Sequence, residues 1–198
     1  MYKTKPSSMY QLLFDHIEKF ITLEPSEIDT LESCLQLSKI KKKEHTLKEG
    51  QVCNTMYFIV KGCMRQYIIN TKGSEQTLQF GIENWWITDL LSYHNHTPSH
   101  FYIQAVENSE VIAIEKPTLE ALLIQIPKLE RYFRIVSQKS FGAMQMRIKF
   151  LFTMSAEERY HHFNSHFPEF VQRVPQYMIA SYLDFSAEFM SKIRAGKV

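Results

Sequence analysis

The sequence predicts an α+β chain: short helices, then a double-stranded, jelly-roll-like β-roll, then a long helix and an all-helical end. Three observations predict it. Across residues 38–116 polar and apolar residues alternate, as in Leu78 and Phe80 against Thr77 and Gln79, or Phe101, Ile103 and Ala105 against Tyr102 and Gln104. Gly50, Gly62, Gly73 and Gly81 recur about ten residues apart, the spacing of turns between short antiparallel strands. Residues 128–154 hold a single helix breaker, Gly142.

In chain order, residues 9–20 read as an amphipathic helix, and Pro25-Ser26 opens a second one reaching about Cys34. The strands follow. Pro117 starts helical territory again, and Pro127 precedes the long segment, which at helical rise spans roughly 40 Å. Its apolar or small positions Leu129, Phe133, Val136, Ser140, Ala143 and Leu151 recur at spacings of three and four, with Arg147 in the same row. Tyr132, Met144 and Ile148 broaden that row, and Ser140, Gly142 and Ala143 are small enough for a second helix to approach closely. A segment this long exceeds what one small roll covers, so it is expected to pair with its twin; the alternative is that it packs only on its own roll. Short helices broken at Pro168 and Pro175 close the chain. The expected domains are residues 1–127 (roll), 128–154 (long helix) and 155–198 (helical end).

Composition narrows the classes. At 44% hydrophobic content the 198-residue chain has material for a real core, and its net charge of +2 neither demands nor excludes nucleic acid. Cys34, Cys53 and Cys63 form no CxxC pair, which fits free thiols in a reducing cytoplasm, with Cys53 and Cys63 acting as small apolar residues in the roll. No signal-peptide pattern and no membrane-length apolar run is read, so a cytoplasmic protein without a membrane partner is expected. No nucleophile–base spacing, phosphate-cradling glycine loop or HExxH is present, so catalysis is not expected. Trp85-Trp86 is read as a core pair at a strand end. The histidines His94, His96 and His100, and the i,i+4 pair His162 and His166, lack a completing ligand set. Neither a metal nor a cofactor is expected.

The last stretch, QYMIASYLDFSAEFMSKIRAGKV, places Ile179, Leu183, Met190 and Ile193 on one side, with Ala180 beside them and Asp184-Phe185-Ser186 interrupting. Two short helices crossing at a tight turn require that spacing. LKEGQVCNTMYFIVKGCMRQY (residues 47–67) sets turn glycines Gly50 and Gly62 around a strand, and ENSEVIAIEKPTLEALL (residues 107–123) runs a strand into a helix. In this order the segments resemble the Crp/Fnr family of transcription regulators over nearly the whole chain. The resemblance implies a cyclic-nucleotide-binding-like roll, a dimerisation helix and a terminal helix-turn-helix, here lacking a full wing because only Ala195-Gly196-Lys197-Val198 follows.

Cyclic-nucleotide-binding relatives carry Gly-Glu-Leu for the ribose and Arg-Ser-Ala for the phosphate. Here Thr88-Asp89-Leu90 and Ser99-His100-Phe101 stand in the matching stretch TDLLSYHNHTPSHFYI. Asp89 can accept from a sugar hydroxyl. Ser99 cannot supply the bidentate positive charge that a buried phosphate needs, and His100 is mostly neutral at pH 7. The implied ligand residues are therefore Thr88, Asp89, Leu90, Ser99 and His100, with cyclic AMP or GMP not expected and an unknown small-molecule effector left open.

The resemblance likewise implies double-stranded DNA as partner. Ser186 would cap the recognition helix and offer a phosphate site, and Ala187, Glu188, Ser191, Lys192 and Arg194 would face the groove. A glutamate can accept from cytosine N4 and a lysine donate to guanine; the alternative is an exposed Glu188–Lys192 pair of little consequence. Asp184 replaces a usual turn glycine and Ala187 a usual basic residue. Charges over residues 155–198 balance: Arg159, Arg173, Lys192, Arg194 and Lys197 against Glu157, Glu158, Glu169, Asp184 and Glu188. Lys139, Arg147 and Lys149 are expected to flank the basic tail, and binding is expected to be weak and salt-sensitive. The function read is a dimeric DNA-binding regulator with an effector-sensing roll. The alternative is a sensor or protein-interaction module without effective DNA binding.

Overall fold

The computed structural model describes residues 9–195. The elements in order are α1 (Gln11–Glu18), α2 (Pro25–Ser33), β1 (Gln36–Ile40), β2 (His45–Leu47), β3 (Thr55–Lys61), β4 (Met64–Ile69), β5 (Glu75–Gly81), β6 (Trp86–Ile87), α3 (Leu90–Asn95), β7 (Tyr102–Ala105) and β8 (Ser109–Glu115). After them come α4 (Lys116–Gln125), α5 (Lys128–Thr153), α6 (Ala156–His166), α7 (Pro168–Arg173), α8 (Gln176–Tyr182) and α9 (Ala187–Arg194). The predicted α+β class and element order hold. Lys197 lies outside the described residues.

The strands form two four-stranded sheets with orders β1-β8-β3-β6 and β2-β7-β4-β5. In the first, Phe58 sits opposite both Ile112 and Trp86 in antiparallel register. Alternation then directs Met56, Phe58, Ile112 and Ile114 inward, where they are buried together. Turn chemistry fixes the hairpins. Gly62 has φ +104, and a Cβ added there would meet the Ser109 backbone at 2.7 Å, so only glycine fits between β3 and β4. Cys53 and Cys63 are buried in the roll, as expected.

Contacts divide the chain into two compact units, Met1–Gln66 with Phe80–Gln138, and Tyr67–Gln79 with Lys139–Val198. The first unit holds the main core. Leu129 and Tyr132, from the first turns of α5, belong to it, and Phe133 and Val136 pack against it. Trp86 donates its indole N–H to the Tyr132 hydroxyl (2.8 Å), which also bonds His16 Nδ1 (2.8 Å). Trp85, expected in the core with Trp86, is 43% exposed instead. Adjacent residues at a strand end point to opposite faces, and only one of the pair can point inward.

In the second unit the rest of α5 accompanies α6 to α9 and the outer part of the β4–β5 hairpin. Tyr67, Tyr160, Phe170, Val171, Val174, Met178, Ile179, Ala180, Leu183, Met190 and Ile193 are buried in it. Ser155 caps α6 reciprocally with Glu158: the Ser155 hydroxyl accepts from Glu158 N–H (3.2 Å), and the Glu158 carboxylate accepts from Ser155 N–H (2.7 Å).

Candidate functional site

Helices α8 and α9 are joined by Leu183, Asp184, Phe185 and Ser186. Asp184 takes the left-handed conformation, φ +61, at the position where glycine is usual. Phe185 N–H donates to Ala180 O (3.1 Å) and Asp184 N–H to Ser181 O (3.3 Å), the paired bonds of a Schellman ending. Arg159 compensates for the missing glycine. Its guanidinium donates to Leu183 O (2.9 Å), Asp184 O (3.3 Å) and Met154 O (2.8 Å), satisfying carbonyls that a helix end leaves without partners.

Past that turn, the Ser186 hydroxyl accepts from Phe189 N–H (3.1 Å), the predicted N-cap. Met190 and Ile193 anchor α9, and Ala187, Glu188, Ser191, Lys192 and Arg194 are exposed. The six residues predicted for this interface thus share one short element. Two carry commitments already: the Ser191 hydroxyl donates to Ala187 O (3.1 Å), and the Glu188 carboxylate is held below its ordinary range by its own backbone N–H and the Ser186 hydroxyl.

Two arginines counted as phosphate cations are spent elsewhere. Arg159 is bound to the turn. Arg147, expected to flank the basic tail, lies over the Tyr182 ring at 4.4 Å and donates to Tyr182 O at 2.9 Å. A charge tally cannot register this, because the partners are neutral backbone carbonyls and leave no opposite charge in the sequence.

In the roll, Asp89 is the N-cap of α3 and is 3% exposed. Its Oδ1 accepts from Leu91 N–H (3.1 Å) and Ser92 N–H (3.2 Å), and its Oδ2 accepts from the Ser99 hydroxyl (2.7 Å). The two positions that resemble the ribose and phosphate ligands are therefore bonded to each other. The Thr88 hydroxyl donates to Thr55 O (3.1 Å) and lies 3.2 Å from Cys53 Sγ, while Leu90 and His100 are exposed. Of the five predicted ligand residues, only Asp89 and Ser99 converge. Sequence reasoning missed Ser92, whose buried hydroxyl accepts from Cys53 N–H (2.8 Å) and donates to Thr97 O (2.6 Å). Its signal was its place three residues after a capping aspartate. A separate cavity of about 240 Å³ lies beside Thr46, Cys53, Asn54 and Tyr57.

Residues 37–125 match the cyclic nucleotide-binding domain family. The anaerobic regulatory protein of Haemophilus influenzae is 30% identical over 140 residues, 70% of this chain and 53% of that protein. Among solved structures, FixK2 from Bradyrhizobium japonicum aligns with a TM-score of 0.72 at 15% identity, covering 82% of this chain and 83% of that one. A Crp/Fnr-family structure from Eubacterium rectale aligns with 0.68 at 15% identity, covering 96% and 87%. The chain belongs to the Crp/Fnr family. It spans about half the length of the curated relatives it matches. Within the Crp/Fnr frame, the matched residues run from β1 to the last turn of α4, and the α8–α9 pair lies beyond them. Among the described residues no helix is long and apolar enough to cross a membrane.

Proposed function

We propose that this Crp/Fnr chain is a transcription regulator that binds double-stranded DNA through α9, acts as a homodimer through α5, and does not take cyclic AMP in the manner of its namesake domain. The observation that carries the reading is the capped, left-handed turn that ends α8 and presents the polar side of α9 to solvent. Two short helices in that relation are the part a groove reader needs. Lys192 supplies donors for guanine, and Glu188 an acceptor for cytosine.

Dimerisation is supported by the second half of α5. Phe141, Met144, Ile148 and Phe152 are exposed at spacings of three and four, a row suited to a twin helix. The roll is read as closed to a cyclic nucleotide because Ser99 brings no positive charge and its hydroxyl already occupies Asp89. Binding there would require breaking that bond and burying a phosphate without a guanidinium.

The test is an electrophoretic shift on duplexes selected from a random pool, titrated with salt. Wild type is expected to retain a specific duplex, and Lys192→Ala to weaken it about tenfold or more, as befits loss of a base contact of ~1–3 kcal/mol. The protein-module reading gains from the commitment of Arg147 and Arg159 to carbonyls, which leaves fewer cations for phosphate. It prevails if no duplex is retained even at low salt.

A further inference from the structure

Strand β5 is an edge of its sheet, since the order β2-β7-β4-β5 leaves one side without a strand neighbour among the described residues. Helix α8 covers that side. The Ser181 hydroxyl accepts from Thr77 N–H (2.8 Å) and donates to Glu75 O (2.9 Å), standing in for a neighbouring strand. Gln76 Nε2 returns a bond to Ser181 O. Arg147 completes the contact, sharing its Nη2 between Tyr182 O (2.9 Å) and Thr77 O (3.4 Å). All of these residues lie within one compact unit.

We infer that Ser181 is an autoinhibitory clamp: it docks the helix-turn-helix on β5 so that α9 cannot enter a DNA groove until the clamp opens. The inference rests on the DNA-binding reading above. It follows from what stands in front of α9. A cleft of about 460 Å³ separates Ser74, Glu75 and Gln76 of the hairpin from Ser186, Ala187 and Glu188 at the start of the helix. That is room for one small molecule. A recognition helix leads with its N-terminal residues, and its groove, about 12 Å wide, is walled on both sides by phosphate backbone. One wall would need the space the hairpin fills, and Glu75 and Glu188 would meet it with like charge. The docked state also buries Thr77 Oγ1 and Arg147 Nε without hydrogen-bond partners among the described residues. Opening the clamp hydrates both, so release has a compensation built in.

The experiment compares wild type, Ser181→Ala and Gln76→Ala in the full chain. It uses one duplex selected from a random pool and hydrogen exchange at the Thr77 amide. The two variants lie on opposite sides of the contact, so a folding defect in one leaves the other informative. The expected result is at least tenfold faster Thr77 exchange and about five- to tenfold tighter binding in either variant. Faster exchange with unchanged or weaker binding overturns the clamp while leaving DNA recognition intact. So does equal binding with unchanged exchange. Failure of all three proteins to retain any duplex at low salt sinks the DNA reading itself, and the clamp with it.

Discussion

At Asp89 a single hydroxyl decides the character of the roll's inner loop. The carboxylate is buried and takes two helix N–H groups on one oxygen and Ser99 on the other. Ser99→Ala is expected to leave that second oxygen without its donor, at a cost of about 1–3 kcal/mol. Urea denaturation followed by Trp fluorescence checks this, and an unchanged midpoint would mean that water replaces the hydroxyl freely. Ser92 was not legible in the sequence; Asp89 and Ser99 were, as matching positions of a recognisable stretch. That they bond each other was not. The reach of a ten-residue excursion through α3 is set by its backbone path, and no local pattern encodes where Ser99 returns. The same limit hid Arg147 and Arg159, whose partners are carbonyls that every residue owns.

Helices were the most readable elements, because their starts carry local chemistry. Pro25 and Ser186 mark the beginnings of α2 and α9 through fixed φ and capping, whereas the Ser155 cap of α6 is not among the starts read from the sequence. Asp184, singled out as a departure from the usual turn glycine, adopts the conformation that the glycine would have supplied. The cap of α6 makes a pH prediction. Glu158 is lowered from its ordinary value of 4.5, first by the Ser155 backbone N–H and then by the Ser155 hydroxyl. A carboxylate whose folded pKa is depressed contributes stability above its unfolded pKa and loses it as pH falls through the folded value. Thermal unfolding of wild type and Glu158→Gln is therefore expected to differ at pH 7, with wild type higher. The gap should close as pH drops below about 4.5, the unfolded reference. A gap that persists at pH 3 would show that the charge on Glu158 is immaterial to the cap.

For the whole molecule, the long helix is where periodicity gave an incomplete answer. The row from Leu129 through Phe133 and Val136 to Arg147 is expected to face a twin helix, with packing on its own roll as the alternative. Its first part instead faces the chain's own core, where Leu129 is buried and Phe133 and Val136 pack, and Arg147 is held at Tyr182 and Thr77. Apolar residues recur on more than one side of α5, and a period reports a stripe without saying what covers it. Exposure separates the two. Phe152 is 86% exposed and Phe141 62%, with Met144 and Ile148 between them. Exposed apolar rows of this extent mark interaction surfaces. Burying each phenyl ring against a partner stabilises by ~1.5–3 kcal/mol, and a two-fold axis counts every side chain twice. Phe152→Glu is accordingly expected to weaken self-association at least a hundredfold, moving the sedimentation boundary from dimer to monomer at micromolar concentration. Its own fold should stay intact, because the ring it removes lies in solvent. Specific DNA retention should fall with the dimer, since one half-site alone forfeits half the contacts. A variant that remains dimeric would place the twin interface on another surface of the chain.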